Sequence, residues 1–262
     1  MPLFVDQMNR AVDIPDRPKR IISLVPSQTE LLFDLGLADR VVGITKFCIY
    51  PADKMKHVTK VGGTKQLNME VIYSLKPDLI IANKEENEQN QIEALMQHYP
   101  VWISDINDLD TALDMIEHVG QITATTEKAK QIASEIKSGF KTLKGLSATL
   151  SCVYLIWKNP YMAAGADTFI HDMLQSCGFN NLVKEGRYPV LTDDELKKLN
   201  PDVLLLSSEP YPFAEKHIQE FKKLLPNTRV NLVDGELFSW YGSRLLYSPA
   251  YFISLMKKIT TK

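Results

Sequence analysis

The side chains able to do covalent or metal chemistry are dispersed along this chain, and the dispersal itself narrows the options. Its five histidines, His57, His98, His118, His171 and His217, stand far apart, none paired at i, i+4 with a third ligand nearby. No zinc or manganese site can be read from such spacing. His171, on a helix after the Gly165-Ala166-Asp167 turn, is the least ordinary of the five. Three cysteines, Cys48, Cys152 and Cys177, make an odd count with no CxxC pairing, which suits neither a disulfide frame nor a zinc site. Cys152 lies in the apolar run Cys152 to Trp157 and reads as core. There is no G-x-S-x-G elbow, no P-loop and no G-x-G-x-x-G after a strand, and Ser27 reads as a helix cap. No catalysis, no cofactor and no side-chain metal site are expected.

Two other kinds of residue stand out. Tyr188 and Trp240 occur in polar, turn-rich sequence without helical period, where core packing explains an aromatic poorly. Glu70 and Asp194 each come two residues after a helix-capping residue, Asn68 and Thr192, and Glu195 completes a capping box in the second case. Carboxylates there offset the helix dipole by about 0.3 to 1 kcal/mol each, a sufficient structural role.

The elements that position these residues follow from periodicity. From Thr126 to Lys144, apolar Ala129, Ile132, Ala133, Ile136, Phe140 and Leu143 recur at helical spacing opposite Lys128, Lys130, Glu135, Lys137 and Lys141. One amphipathic helix is predicted, roughly 28 Å long. It stands between two copies of a pattern: Ser74 to Ala82, with its Lys76-Pro77-Asp78 break, and Lys198 to Leu206, with Asn200-Pro201-Asp202. Each copy is a helix end, a Pro-Asp break and a buried strand, followed by a helix and a further strand, Val101 to Ser104 or Val230 to Val233. That agreement predicts an α/β fold of two similar lobes, with parallel sheets flanked by helices and one long interlobe helix. The expected bounds are 1–122, 123–146 and 147–262.

Before the first repeat, Ile21 to Val25 reads as a strand running into a helix capped by Ser27 and Glu30 and stopped at Gly36; Val41 to Ile44 reads as the next strand. Phe47 to Asn68 reads as loop, the kind of segment that binds ligands at strand ends in α/β sheets. The stretch after Trp157 also reads as loop, up to a helix around Phe169 to Gln175.

At 262 residues and 45% hydrophobic, the chain is long enough for two cores. A net charge of -2, with no basic run interleaved with aromatics, gives no support for nucleic-acid binding. No apolar run approaches the ~20 residues of a membrane span. The first residues, Met1 to Gln7, lack the basic start and apolar region of a signal peptide, so the sequence by itself suits a cytoplasmic protein or one whose leader has been removed.

Taken together, Arg20 to Leu32, Val42-Gly43-Ile44, Tyr50-Pro51, Val61-Gly62-Gly63, Asn68-Met69-Glu70 and Leu75 to Ile80 resemble the solute-binding proteins of bacterial vitamin B12, iron-siderophore and haem ABC importers. The resemblance covers nearly the whole chain from about residue 18 and is strongest to the cobalamin-binding branch, the helical-backbone metal receptors. It implies a monomeric, periplasmic or envelope protein that captures a metal chelate between two lobes and delivers it to an ABC permease, with little closure because the connecting helix is rigid. The alternative is a cytoplasmic tetrapyrrole or metal-chelate sensor, or a chelatase-like enzyme. A chelatase would need a convergent histidine and carboxylate.

For a flat chelate, a receptor needs aromatics to stack and a few donors at the edge. The loops offer Tyr50, Lys65 and Glu85, with Phe47 and Lys84, in the first lobe. In the second they offer Trp157, Tyr161, Tyr188, Trp240, Tyr241 and Arg244, with Arg187. Trp157 closes an apolar strand and suits the core equally; Arg244 suits solvent equally. By the resemblance, Tyr50, Tyr188 and Trp240 fall at ligand-contacting positions, while Glu70 and Asp194, or the adjacent Glu195, fall where one carboxylate per lobe pairs with permease arginines. Where the cobalamin branch often has a tryptophan before the Asn-x-Glu segment, this chain has Gly63-Thr64-Lys65, which leaves the identity of the chelate open.

Overall fold

The computed structural model describes residues 2–146 and 150–261; residues 147–149, which open the expected second lobe, and both terminal residues lie outside the described set. The chain divides into two compact units. One comprises Met1–Ile106, Asp110–Ile136 and Tyr241–Arg244; the other comprises Asn107–Leu109, Lys137–Trp240 and Leu245–Lys262.

The first unit begins with a hairpin, β1 (Leu3–Val5) and β2 (Ala11–Asp13). It continues with β3 (Ile21–Ser23), α1 (Pro26–Asp34), β4 (Val41–Ile44), α2 (Ala52–Met55), β5 (Thr59–Lys60), α3 (Met69–Leu75), β6 (Leu79–Asn83), α4 (Gln89–Met96) and β7 (Val101–Ser104). Strands β5-β4-β3-β6-β7 form a parallel sheet in that order. Ile22, Leu24, Ile80, Ala82, Val101 and Ile103 pack with Ile72 of α3 and with Ile92 and Leu95 of α4. Burial of each such aliphatic side chain contributes about 1.5 to 3 kcal/mol. The segment read as loop from Phe47 to Asn68 contains α2 and the edge strand β5, both too short to leave a periodic signal.

Helix α5 (Leu109–Ile122) leads to α6 (Thr126–Lys141), and the division between the units falls within α6. Ala129, Ile132, Ala133, Ile136 and Phe140 are all buried, the stripe that periodicity predicts. Gly139 has a packing reason: a Cβ there would lie 3.1 Å from the Pro249 ring.

The second unit contains β8 (Ser151–Trp157), β9 (Tyr161–Ala163), α7 (Phe169–Ser176), β10 (Asn180–Asn181), β11 (Val190–Leu191), α8 (Asp193–Leu199), β12 (Val203–Ser207), α9 (Glu215–Leu224), β13 (Arg229–Val233), α10 (Glu236–Ser239) and α11 (Ser248–Thr260). Its order is β11-β9-β8-β12-β13, with β10 also on β8. Strands β8, β12 and β13 are parallel, as the α/β class requires, while β9 and β11 add an antiparallel edge where the sequence reads as loop. Alternate residues of β8 take opposite faces. Val153 and Leu155 join Leu196 of α8 and Ile218 and Phe221 of α9, whereas Tyr154 packs at a tilt against Phe238 of α10, ring centres 5.3 Å apart.

The internal repeat extends to side-chain detail. Helices α3 and α8 both run seven residues and end on a residue in the left-handed region, Lys76 at φ 45° and Asn200 at φ 44°, each followed by Pro-Asp. Asp78 accepts the Lys19 and Arg20 backbone N–H groups at 2.8 Å, and Asp202 accepts the Ser151 N–H at 2.8 Å and its hydroxyl at 2.7 Å. In both units the aspartate after the break ties a helix end to the start of the adjacent central strand.

Candidate functional site

In the first unit, the candidate residues gather at the carboxyl ends of the parallel strands. Helix α1 leaves β3 with Pro26 at its first position and Val25 as cap, without a side-chain cap bond. This corrects the expected Ser27-Glu30 capping box. Proline, which has no N–H to satisfy, starts the helix earlier, the Ser27 hydroxyl is buried without a partner, and Glu30 is turned to another task. Thr29 anchors the turn instead: its hydroxyl lies 2.8 Å from both the Val25 carbonyl and the Ser23 hydroxyl, and 3.1 Å from the Cys48 sulfur. The loop that leads to Tyr50 is thereby tied to α1. Burial pushes the Cys48 thiol up, so it acts as packing rather than as a nucleophile.

Arg244 meets Glu30 with two donors, Nε at 2.9 Å and Nη2 at 2.6 Å, and its guanidinium lies 3.9 Å from the centre of the Tyr50 ring. The two charged side chains are only 14% and 12% exposed. Arg244 is therefore not a solvated arginine. Burial raises the Glu30 carboxyl above its ordinary range against the opposing pull of Arg244. On the same short segment, the Tyr241 hydroxyl donates to Glu86 at 3.3 Å. Gly242 lets the backbone pass α1, since a Cβ there would fall 2.8 Å from the Ser27 carbonyl oxygen.

Glu85 and Glu86 are presented by a turn that Asn83 builds, its Oδ1 accepting both of their N–H groups at 2.9 and 3.0 Å. Lys65 donates to the Glu85 carbonyl at 2.9 Å and pairs with Glu88 at 3.3 Å, bracketing that turn. Lys84 pairs with Asp105 at 2.6 Å, and Phe47 is 51% exposed.

In the second unit, Trp240 follows α10. It is 7% exposed, against the expectation from its turn-rich setting of a side chain outside the packed interior. Helix α10 turns the indole onto Glu209, just past β12, whose Oε1 accepts the indole N–H at 2.9 Å and the Ser239 hydroxyl at 2.8 Å. Trp157 and Tyr161 are not grouped with it. Trp157, exposed at the end of β8, meets Tyr211 edge-on at 5.6 Å; Tyr161 packs on Phe221 at 5.2 Å and lines a cavity of about 320 Å³ with Asp193 and Glu220. Tyr188 is half-buried in the segment after Gly186, which is held to the end of β9 and the turn after it by the Ala163 and Gly165 N–H groups donating to the Pro189 and Arg187 carbonyls. The Arg187 N–H donates to Asp167.

Glu70 is exposed in the first turn of α3, whose cap Asn68 accepts the Val71 N–H at 3.2 Å. Asp194 is 94% exposed beside Lys197, whereas Glu195 accepts the Thr192 N–H and hydroxyl at 2.7 Å, bonds that hold its carboxyl below the usual range. Of the two adjacent acids, Asp194 points outward and Glu195 serves the cap.

Among the described residues, no three His, Cys, Asp or Glu side chains come together as a metal cage, and no helix is long and apolar enough to cross a membrane. His171 lies 3.2 Å from Asn181 and is held below the ordinary imidazole range, mainly by burial and then by Lys184. Glu30, Glu86 and Glu209 are the site residues that sequence reasoning missed. Each is recognisable only through a partner distant in sequence.

A family model described as "Periplasmic binding protein" matches residues 21–227. The Bacillus subtilis "Uncharacterized ABC transporter substrate-binding lipoprotein YvrC" is 31% identical over 92% of this chain and 81% of its own length. A "Vitamin B12-binding protein" of Vibrio campbellii is 27% identical over 72% of this chain and 70% of its own. The crystal structure of the periplasmic vitamin B12-binding protein BtuF of Vibrio cholerae superposes with a TM-score of 0.81 at 22% identity, covering 95% of this chain and 100% of the other. With two α/β units of this topology and matches spanning nearly its full length, the chain belongs to the periplasmic binding protein family, the substrate-binding components of ABC transporters, which are not enzymes.

Proposed function

We propose that this protein captures a metal chelate of the corrin, haem or ferric-siderophore class at the cell envelope and delivers it, as a monomer, to an ABC permease. The observation that carries the reading is the grouping of Tyr50, Arg244, Glu30, Tyr241 and Glu86 at the carboxyl ends of the first unit's parallel strands, where open α/β sheets bind ligands. A planar guanidinium on an aromatic ring, beside phenol and carboxylate groups, offers the flat surface and edge donors that a chelate needs. Lys65 and Glu85 of the same unit complete the proposed set there, and Trp240, Tyr188, Trp157 and Tyr161 are its proposed members in the second unit. The protein itself holds no resident cofactor in this account; the metal arrives inside the ligand.

Permease docking is assigned to Glu70 and Asp194, one exposed carboxylate at the same place in each repeat. The reading is tested by ligand-dependent binding of the protein to its permease reconstituted in detergent or nanodiscs. Chelate-loaded protein is expected to bind and to stimulate ATP hydrolysis by the transporter. A protein that neither takes up a chelate nor stimulates the transporter overturns the proposal.

A further inference from the structure

We propose that Glu30 is a specificity-determining residue: by neutralising Arg244 and holding its guanidinium over the Tyr50 ring, it makes this wall favour uncharged chelates over those bearing carboxylates. The inference rests on the reading above that Tyr50 and Arg244 face the ligand. Arginine beside an aromatic ring would ordinarily recruit a carboxylate through its planar fork. Here two of the fork's donors, Nε and Nη2, are committed to the two oxygens of Glu30 at 2.9 and 2.6 Å. Both side chains are largely removed from solvent, so their mutual attraction is weakly screened. An incoming carboxylate meets a pair of zero net charge and must either displace Glu30 or lie beside a second negative group. An amide or an uncharged ring edge meets no such penalty.

Both arms of the pair are anchored independently of any ligand. Thr29 fixes the α1 turn beside Glu30, while Tyr241 on Glu86 and the close passage of Gly242 over the Ser27 carbonyl fix the segment carrying Arg244. The guanidinium is thus held in place before binding rather than recruited by it.

The test compares wild type, Glu30→Gln and the double variant Glu30→Gln/Arg244→Gln. Each is titrated with cyanocobalamin and with its monocarboxylate derivative, in which one propionamide has been hydrolysed, and each is melted with and without citrate as a simple carboxylate probe. Wild type is expected to prefer the amide form and to ignore citrate. Glu30→Gln should shift the ratio toward the carboxylate by about tenfold or more, and should gain a citrate-dependent rise in Tm that the double variant loses. An unchanged ratio or no citrate effect in Glu30→Gln overturns the inference. If wild type binds neither corrin, the corrin reading of the function falls, and the citrate melts still decide the role of Glu30. Should Glu30→Gln fail to fold, Arg244→Gln decides: a bare Glu30 should make the protein bind the carboxylate corrin less well and citrate not at all, and improved binding of either contradicts the proposal.

Discussion

Asp78 and Asp202 do the same work in the two halves of the chain: each follows a proline that ends a helix, and each accepts hydrogen bonds from the start of the strand next to its own. Replacing either by Ala removes two such bonds. The expected loss is about 1 to 3 kcal/mol at each site, read by urea denaturation. The Asp202 carboxyl is held below its ordinary range by the Ser151 bonds, so its contribution is complete above about pH 4 and fades as the pH falls through the lowered value. A melt indifferent to either substitution would contradict the structural equivalence.

His217 gives a second pH dependence. Its Nδ1 accepts the Ala214 N–H at 2.8 Å at the start of α9, and burial, with Lys158 next, lowers its pKa from 6.5. The folded protein therefore binds fewer protons here than the unfolded chain just below pH 6.5, and stability falls as the pH drops through that window. Asn at this position can still accept the Ala214 N–H but does not titrate. His217→Asn should flatten that part of the stability profile; an unchanged slope would remove His217 from the account.

Trp240 is buried and bonded to Glu209, so Trp240→Ala is expected to cost about 3 to 5 kcal/mol of stability as well as about 1 to 3 kcal/mol of chelate affinity. Trp240→Phe separates the two effects. It keeps an aromatic face and should retain most of the affinity, while losing the bond to Glu209 and about 1.5 to 3 kcal/mol of stability. If Trp240→Ala, folded at low temperature, binds with full affinity, the indole is a core residue only.

Glu70 and Asp194 carry a separable prediction. Reversing both charges should leave chelate affinity intact and abolish permease binding, because exposed rim charges govern encounter more than folding. Folding stability should fall by no more than about 2 kcal/mol per helix start, the lost dipole interaction plus its reversal. Unchanged transport would return both residues to the role of helix-end carboxylates.

Much of this architecture was legible in the chain because it follows from local rules. The Pro-Asp breaks at 77–78 and 201–202, the buried strands after them and the apolar stripe of α6 each write their structure into a few adjacent residues. What was not legible is non-local or too short. Strand β5 has two residues, and β9 with β11 pairs segments nearly thirty positions apart. At α1, a hydroxyl and a carboxylate at capping spacing were misleading because Pro26 had already begun the helix. The Glu30–Arg244 pair spans 214 positions, and no pattern in either neighbourhood announces it. The outward aim of Asp194 rather than Glu195 depends on a side-chain bond, which spacing alone leaves open between neighbours.

The central claim is capture of a metal chelate, and absorbance titration of the purified protein with cyanocobalamin, haemin and a ferric siderophore tests it most directly. The account predicts a saturable one-to-one spectral change with one of these classes, weakened when Tyr50 and Trp240 are replaced by Ala. Absence of saturable binding by all three, or chemical conversion of any of them by the protein, would contradict it.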